Sequence, residues 1–178
     1  MKLEFGGGEK LSPGFIGCDV RDVENVKYVC NCWDIDKHVD EGSVDEIYSR
    51  HMFEHLTFAQ GKRTLEVWYK ILRGGGKVHL IMPDLKYHVD EYIRFYSDRE
   101  SSDRGNNFFH AVKSIFGGQR ESIDCDYFTT FNSTWDIHKS GYDEVSLRQL
   151  VQSYGYKDFH RHNNSPWHLD VTFFKETT

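Results

Sequence analysis

Residues 2–8 read Lys-Leu-Glu-Phe-Gly-Gly-Gly, a short apolar strand with an acidic third residue, followed by three consecutive glycines. Glycine has no Cβ, so the backbone at positions 6–8 can turn sharply and lie against a ligand. Dinucleotide-binding proteins place glycines after their first strand for the same reason. Their pattern G-x-G-x-x-G, counted from Gly6, would need a glycine at position 11, where this chain has Leu11. The stretch therefore predicts a ligand-binding turn that departs from the dinucleotide fingerprint.

The rest of the chain alternates strand and helix patterns. Apolar runs predict strands at 2–5, 15–20, 26–32, 44–49, 77–82, 156–162 and 168–175. Helical periodicity predicts helices at 58–72, 87–96, 107–116 and 144–154. This order favours a parallel sheet wound by right-handed crossovers. We see no linker, so we expect one domain over 1–178, with a lid or insert at about 85–143.

Two local expectations concern helix ends and helix faces. The three glycines at 74–76 are expected to end the first helix, because glycine relieves the left-handed position that follows a helix. In the second helix, four apolar residues at helical spacing are expected to face the core rather than a ligand. They are Val89, Tyr92, Ile93 and Tyr96.

Composition excludes several classes of protein. The chain has 178 residues and a formal net charge of −6, without a basic run that would bind nucleic-acid phosphates. No apolar stretch approaches the roughly 18 residues of a membrane span. The four cysteines lack the spacing of a secreted disulfide framework, which favours small buried thiols in a reduced, cytoplasmic enzyme.

Five ordered segments, taken together, resemble class I S-adenosylmethionine-dependent methyltransferases. Each is common alone, but the ordered set is not. The segments are the glycine turn with its preceding acidic residue, Asp19 after strand two, Asp34-Ile35 after strand three, His51-Met52-Phe53-Glu54-His55-Leu56 after strand four, and Ile71-Leu72-Arg73-Gly74-Gly75-Gly76-Lys77 before strand five.

The resemblance implies a doubly wound, mostly parallel, seven-stranded Rossmann-like α/β sheet with an antiparallel last strand. It also implies S-adenosylmethionine as cofactor and S-adenosylhomocysteine as product. In the family, the residue at the position of Asp19 accepts hydrogen bonds from the ribose hydroxyls, and that at Asp34 accepts one from the adenine amine. The residues implied in cofactor binding are Glu4, Phe5, Gly6, Gly7, Gly8, Asp19, Asp34, Ile35, Arg50 and His51.

A narrower resemblance is to a bacterial group of small predicted methyltransferases, often placed near polysaccharide or surface-glycan synthesis. It is carried by the segments at 7–16 and 43–55, by Phe116-Gly117-Gly118-Gln119, and by His138-Lys139-x-Gly141-Tyr142. It implies a small-molecule or glycan-like acceptor, with no nucleic acid.

The chain departs from the wider family between the glycine turn and strand two. Only residues 9–14 separate them, whereas a βαβ crossover usually takes about 10–12 residues or more. We therefore expect the first helix to be missing or cut to a turn. Backbone N–H groups of residues 7–10, and the Lys10 ammonium, are then left to hold the methionine end of the cofactor.

Three histidines are candidate catalytic residues. Side chains just after strand four face the reacting group, because ligands bind at the carboxyl ends of such strands. His51 or His55, relayed by Glu54, suits a general base, since imidazole accepts a proton near neutral pH. The alternative is that Glu54 caps the following helix and His55 packs beneath it. His138 would lie over the pocket if residues 117–143 fold back as a lid.

Other patterns have weaker interpretations. His160, His162 and His168 could bind a divalent metal, but alternating strand faces explain their spacing as well, and we assign no metal. The Gln119 amide could point inward after its two glycines. Aromatic residues of the insert could stack on a sugar or could simply pack; they are Tyr127, Phe128, Phe131 and Trp135.

Three functions compete at this stage. The leading hypothesis is transfer of a methyl group to an oxygen atom of a small or glycan-like acceptor. The second is a non-catalytic binding or partner module that keeps the cofactor fold. The third is a nicotinamide oxidoreductase, which Leu11 disfavours, as does the 13-residue step from Gly6 to Asp19 where about 20 is usual.

Overall fold

A seven-stranded mixed sheet organises the protein. The computed structural model describes residues 1–97, 104–117 and 136–177. Its strand order is β3-β2-β1-β4-β5-β7-β6. The first five strands in this order are parallel, and β7 is antiparallel to both of its neighbours. The strands are β1 (Lys2–Phe5), β2 (Ile16–Asp19), β3 (Val26–Val29), β4 (Val44–Arg50), β5 (Leu72–Pro83), β6 (Tyr156–His162) and β7 (His168–Lys175).

Four α-helices complete the described fold. They are α1 (Phe58–Ile71), α2 (Leu85–Ser97), α3 (Arg104–Phe116) and α4 (Glu144–Ser153). Thr57 caps α1 through the Gln60 backbone N–H, and Asp143 caps α4 through the Ser146 N–H. Such reciprocal capping boxes satisfy amides that a helix start leaves without partners. Glu54 is therefore not the cap of the helix after strand four.

The core lies on one face of the sheet, beneath α1 and α4. Trp68 of α1 is fully buried, with its ring 5.0 Å from that of Phe5 and 6.1 Å from that of Phe53. Tyr156 is also fully buried, and its hydroxyl donates to the Leu65 carbonyl at 2.9 Å. The described residues thus bury one continuous apolar cluster between the sheet and these two helices.

The shortened first crossover is confirmed, and the shortening extends further than predicted. Residues 6–15 and 20–25 contain no α-helix, and only a single 3-10 turn, Ile35–Lys37, lies between β3 and β4. The three connections at this end of the sheet are therefore too short to cover its second face. Half-buried polar and aromatic side chains such as Tyr48 and His79, with rings 5.1 Å apart, occupy that face.

Two local expectations were wrong. The glycines at 74–76 do not end α1 in a left-handed turn: Leu72 is already extended, with φ −67° and ψ 139°, and begins β5. Of these three glycines only Gly75 has a positive φ. It lies between Leu72 and Lys77 of β5, which pair with Val44 and Glu46 of β4 across a register shift. In α2 the apolar stripe is 37–61% exposed, whereas His88 and Phe95 are buried. The helix therefore buries a different face, about a quarter turn away from the predicted stripe.

None of the helices within residues 1–97, 104–117 and 136–177 has the length and apolar character needed to cross a lipid bilayer.

Candidate functional site

The strand order reverses between β1 and β4, which are paired in parallel at the centre of the sheet. Ligands of open α/β sheets bind outside the carboxyl ends of the strands at such a switch point. Here the glycine turn follows β1, Asp19 ends β2, and His51 follows β4. The fold therefore brings these sequence-predicted groups to one edge of the sheet.

The glycine turn packs tightly against the loop after β4. Gly6 has φ +76°, and a Cβ there would lie 2.7 Å from the Met52 Cβ. Its N–H donates to the Cys18 carbonyl at 3.0 Å, which fastens the turn to β2. The Glu4 carboxylate is buried and accepts the Ser12 N–H at 2.7 Å. The turn is thus held from β1, β2 and the post-β4 loop.

We predict that Gly6→Ala destabilises the fold by about 2–4 kcal/mol, combining a left-handed alanine with a steric clash. Gly14→Ala is the matched control, because Gly14 also has positive φ (+83°) but nothing lies within 4 Å of its Cβ position. That control should lose only about 1 kcal/mol. Denaturant unfolding of both variants measures the difference. Equal losses would show that contact with Met52 is unimportant.

Asp19 lies at the end of β2 with its carboxylate already engaged. The Arg21 guanidinium donates from Nε to Oδ1 at 3.1 Å and from Nη2 to Oδ2 at 3.0 Å. The Gly8 N–H donates to Oδ2 at 3.3 Å. Burial raises the pKa of Asp19, but the hydrogen bonds and charge of Arg21 outweigh it and hold that pKa below its usual value. The carboxylate is ionised and accepts two parallel hydrogen bonds.

This arrangement fits the chemistry of a ribose. A vicinal diol donates two neighbouring hydrogen bonds, as the fork of a guanidinium does. A Cβ on Gly8 would meet only the Arg21 guanidinium, with Nη2 at 2.9 Å and Cζ at 3.7 Å, and the Arg21 side chain is 41% exposed. The guanidinium thus occupies the position beside the bare Gly8 backbone. Withdrawal of this one exposed side chain would free the Asp19 oxygens for another pair of donors.

Asp34 and Ile35 follow β3 on the same side of the sheet. The Asp34 carboxylate accepts from the Lys37 ammonium at 2.6 Å and from the Asn31 amide at 3.1 Å. The hydrogen bond from Lys37 is the main cause that lowers the pKa of Asp34. The Ile35 side chain is fully buried, so only its backbone is available to a ligand. Their roles toward adenine stay predictions.

His51 stands in a strained backbone position at the end of β4. Its φ of +52° is uncommon for a residue with a side chain, and strain of this kind clusters at functional sites. Its Nδ1 lies 3.2 Å from Glu54 Oε1, and the side chain is 39% exposed. With the carboxylate oxygen as acceptor, a neutral imidazole carries its proton on Nδ1 and presents a lone pair on Nε2.

Glu54 connects the post-β4 loop to residues 137–140. Its side chain is almost completely buried, and Oε2 has no hydrogen-bond partner among the described residues. Its backbone carbonyl accepts the N–H groups of Lys139 at 2.9 Å and Ser140 at 3.2 Å. This pairing brings His138 back to the site, with Nε2 4.0 Å from Glu54 Oε1.

His138 and His55 are both held by backbone carbonyls. His138 Nδ1 lies 2.8 Å from the Ser114 carbonyl oxygen, and His55 Nδ1 lies 3.2 Å from that of Ile137. Their rings are 5.0 Å apart, edge to face. Burial lowers the pKa of His138, although the nearby Glu54 carboxylate acts in the opposite direction. The lowered pKa favours a neutral ring.

A cavity of about 270 Å³ lies beside these groups, between α2, α3 and the start of β7. Pro83, Lys113, Ser114, Gly117 and Trp167 contribute to its wall. The remaining lining residues are all histidines: His51, His88, His110, His138 and His168.

His88 supplies a pH-dependent contribution to stability. Burial, together with the neighbouring His110, lowers the pKa of His88 from 6.5 to about 4. The unfolded state therefore binds more protons between these values, so stability is intact above pH 6.5 and falls as the pH drops toward 4. We expect this linkage to cost about 2 kcal/mol between pH 7 and pH 5.

The test compares thermal unfolding of the wild type and His88→Gln at pH 7 and pH 5. Glutamine can still donate to the Trp167 carbonyl, which lies 3.1 Å from His88 Nε2. The variant should lose less stability on acidification than the wild type does. An identical loss in both proteins would contradict this assignment.

Chain order predicted His51 or His55 beside Glu54, with His138 over the pocket. In the structure His51 and His138 both lie near the Glu54 carboxylate. Sequence patterns did not indicate Arg21 or the convergence of His88 and His110, which arises from helix packing. His168 lies 4.8 Å from His51, ring to ring, and not with His160 and His162, which lie 4.7 Å apart on β6. Gln119 and the four insert aromatics lie outside the described residues.

The chain resembles known proteins in structure but not in sequence. No protein-family model matches the chain, and no curated protein matches it significantly in sequence. Solved structures do match. A SAM-dependent methyltransferase of Methanosarcina mazei aligns with a TM-score of 0.60 at 12% identity, covering 99% of this chain and 92% of that one. One from Archaeoglobus fulgidus aligns at 0.58 and 12%, covering 98% and 85%.

A third similar structure contains ligands. Phosphoethanolamine N-methyltransferase 2 of Haemonchus contortus, in complex with phosphomonomethylethanolamine and S-adenosylhomocysteine, aligns with a TM-score of 0.51 at 15% identity. The match covers 93% of this chain but only 35% of that enzyme. At such identities the likeness concerns the fold. The chain has the class I methyltransferase fold, as its five segments predicted.

Proposed function

We propose that this protein is an S-adenosylmethionine-dependent methyltransferase that methylates an oxygen of a small-molecule or saccharide-type acceptor. The observation that carries this proposal is His51, which contacts the buried Glu54 and lines the histidine-rich cavity. This arrangement places a candidate base beside a space for a substrate, at the switch point of a methyltransferase fold.

The cofactor-binding residues would be those of the glycine turn with Glu4 and Phe5, together with Asp19, Asp34, Ile35 and the backbone around Arg50 and His51. When bound, S-adenosylmethionine supplies an electrophilic methyl group on a sulfonium sulfur. Asp19 would hold the ribose hydroxyls after the Arg21 side chain withdraws from its carboxylate. Asp34 would accept from the adenine amine.

His51 acts as the general base in this proposal. Glu54 fixes the Nδ1–H tautomer, so Nε2 presents a lone pair to an acceptor hydroxyl. Removal of that proton makes the oxygen a better nucleophile as it is methylated, and positioned bases typically contribute 10²–10⁴-fold. His138 also lines the cavity, whereas His55 is not among its lining residues, so His51 is the stronger candidate of the three.

The cavity suits a polar acceptor of modest size. Imidazole groups and the Lys113 ammonium can hydrogen-bond to hydroxyl or acidic groups, and the Trp167 ring offers a flat apolar surface for a sugar. Surface-polysaccharide synthesis is the context we propose for such an acceptor. The cysteines Cys18 and Cys32 are buried free thiols, which supports a reduced, cytoplasmic setting in this proposal. We also propose one domain over 1–178, with a lid or insert at about 85–143.

The direct test incubates the purified chain with methyl-labelled S-adenosylmethionine and a panel of hydroxylated acceptors, including nucleotide sugars and free sugars. We expect S-adenosylhomocysteine and a methyl ether to form in equal amounts with at least one acceptor. Saturating cofactor binding without product from any acceptor would argue against catalysis.

One observation favours a second candidate, a non-catalytic partner module. Three N–H groups of Arg21 and the Gly8 N–H already fill the acceptor positions of Asp19. If Arg21 never withdraws, no cofactor enters and the fold serves only as a scaffold. A chain that ignores the cofactor at millimolar concentration would support this alternative.

A further inference from the structure

We propose that Glu54, His55 and His138 bind a divalent first-row transition-metal ion. Two imidazoles and one carboxylate are a ligand set that zinc, iron, cobalt and manganese accept in proteins. The three residues come from two separate segments, which the backbone hydrogen bonds of Glu54 with residues 139 and 140 hold together. The ligand set is therefore built by the tertiary fold.

The spacing of the three side chains suits one ion. A ligand atom from each lies within 4.8 Å of the others. Glu54 Oε1 and His138 Nε2 are 4.0 Å apart. Zinc is bound at about 2.0–2.2 Å by nitrogen and oxygen, so two of its ligands lie roughly 3–4 Å from each other. The distance between Glu54 Oε1 and His138 Nε2 is too long for a hydrogen bond and close to the separation of two ligands of one ion.

One oxygen of the Glu54 carboxylate lacks a partner among the described residues, while the other, Oε1, contacts His51 Nδ1 at 3.2 Å. Glu54 is 2% exposed, and its Oε2 accepts no hydrogen bond from any described residue. An uncompensated buried carboxylate oxygen costs several kcal/mol, so such groups are normally paired or bound to metal. A cation at this position would supply the missing interaction.

Both histidines are already oriented as metal ligands. The Ser114 and Ile137 carbonyls can only accept, so His138 and His55 donate to them from Nδ1. In this tautomer each Nε2 presents a lone pair, and His138 Nε2 lies 4.0 Å from Glu54 Oε1. Metal-binding histidines usually donate their second N–H to a carbonyl or carboxylate in this way, which fixes the tautomer.

A second cluster lacks these features and provides an internal comparison. In the group His79, His162 and Asp170, both Asp170 oxygens are satisfied, by His79 Nε2 at 2.8 Å and Asn164 Nδ2 at 2.8 Å. His162 Nε2 already contacts Thr172 Oγ1 at 3.2 Å. All carboxylate oxygens of that cluster therefore have partners, whereas Oε2 of Glu54 has none among the described residues.

The site suggests a role that rests on the proposed function. His138 forms part of the cavity wall, so an ion bound there would lie beside the space for the acceptor. It could bind an acceptor oxygen and stabilise its deprotonated form next to His51. The preferred acceptors would then be those with two neighbouring oxygens, such as a sugar diol or an α-hydroxy acid.

The test titrates the chelator-treated chain with Co²⁺ and follows its visible ligand-field absorption, with Zn²⁺ as competitor. We expect one equivalent to bind, with affinity reduced at least 100-fold in Glu54→Gln and in His138→Asn. His162→Ala, in the satisfied cluster, should bind cobalt as the wild type does.

Circular dichroism and thermal unfolding establish whether each variant is folded, and His55→Asn provides an independent ligand change if Glu54→Gln is not. No ligand-field absorption in the wild type would overturn the proposal. So would absorption that persists in Glu54→Gln but disappears in His162→Ala. Because this readout requires neither cofactor nor acceptor, its failure leaves the methyltransferase proposal untouched.

Discussion

Asp19→Ala is expected to weaken the binding of S-adenosylhomocysteine by at least about 100-fold, because each of the two hydrogen bonds to a charged group contributes roughly 1.5–3 kcal/mol. The Asp19 carboxylate is the only group at the end of β2 that, in our proposal, meets the ribose. Its loss removes both acceptor oxygens at once. Isothermal titration calorimetry of the two proteins measures the change in Kd.

Two further variants sharpen this result. Asp22→Ala removes an exposed carboxylate three residues along the chain and should leave affinity unchanged. Arg21→Ala frees the Asp19 carboxylate of its fork of hydrogen bonds and should bind the ligand at least as tightly as the wild type. Weaker binding by Arg21→Ala together with normal binding by Asp19→Ala would contradict our account of this carboxylate.

His51→Asn is expected to lower kcat by about 10²–10⁴-fold while leaving cofactor affinity within a factor of two, since a positioned base acts on the proton in transfer. Asparagine is chosen because it tolerates positive φ better than most residues. The backbone at φ +52° should therefore persist, and the loss reports the imidazole alone. Initial rates with the acceptor found in the panel measure the effect.

The matched control for this variant is His160→Asn. His160 is an exposed histidine on β6, outside the residues that line the cavity, so its replacement should leave kcat unchanged. Glu54→Gln should also lower kcat, because Glu54 orients His51 in our proposal. Full activity in His51→Asn would exclude His51 as the base.

Most of the strands could be predicted because their apolar runs are short and bounded by turn residues. The ranges 156–162 and 168–175 match β6 and β7 at both ends. The glycines at 74–76 were misjudged because glycine permits a left-handed cap without requiring one, and pairing of Leu72 with Val44 begins the strand first. The stripe of α2 was misjudged because periodicity marks an apolar face without showing what packs on it. The folded helix buries the face with His88 and Phe95 instead.

In the candidate site, positions set by chain order were predictable, whereas contacts set by side-chain geometry were not. His51 and Glu54 follow β4, so their position at the switch point was predictable from chain order alone. The closure of Arg21 on Asp19 and the orphaned oxygen of Glu54 depend on side-chain geometry, which no spacing encodes. His138 required the return of residues 136–140 to the post-β4 loop, a contact between segments more than 80 residues apart.

Calorimetric titration of the wild-type chain with S-adenosylhomocysteine, beside a parallel titration with a nicotinamide dinucleotide, shows whether the fold binds the methyl-transfer cofactor. We expect one equivalent of S-adenosylhomocysteine to bind with micromolar Kd, and no heat from the dinucleotide. Absence of binding at millimolar S-adenosylhomocysteine would exclude cofactor-dependent methyl transfer and leave the partner-module function in its place.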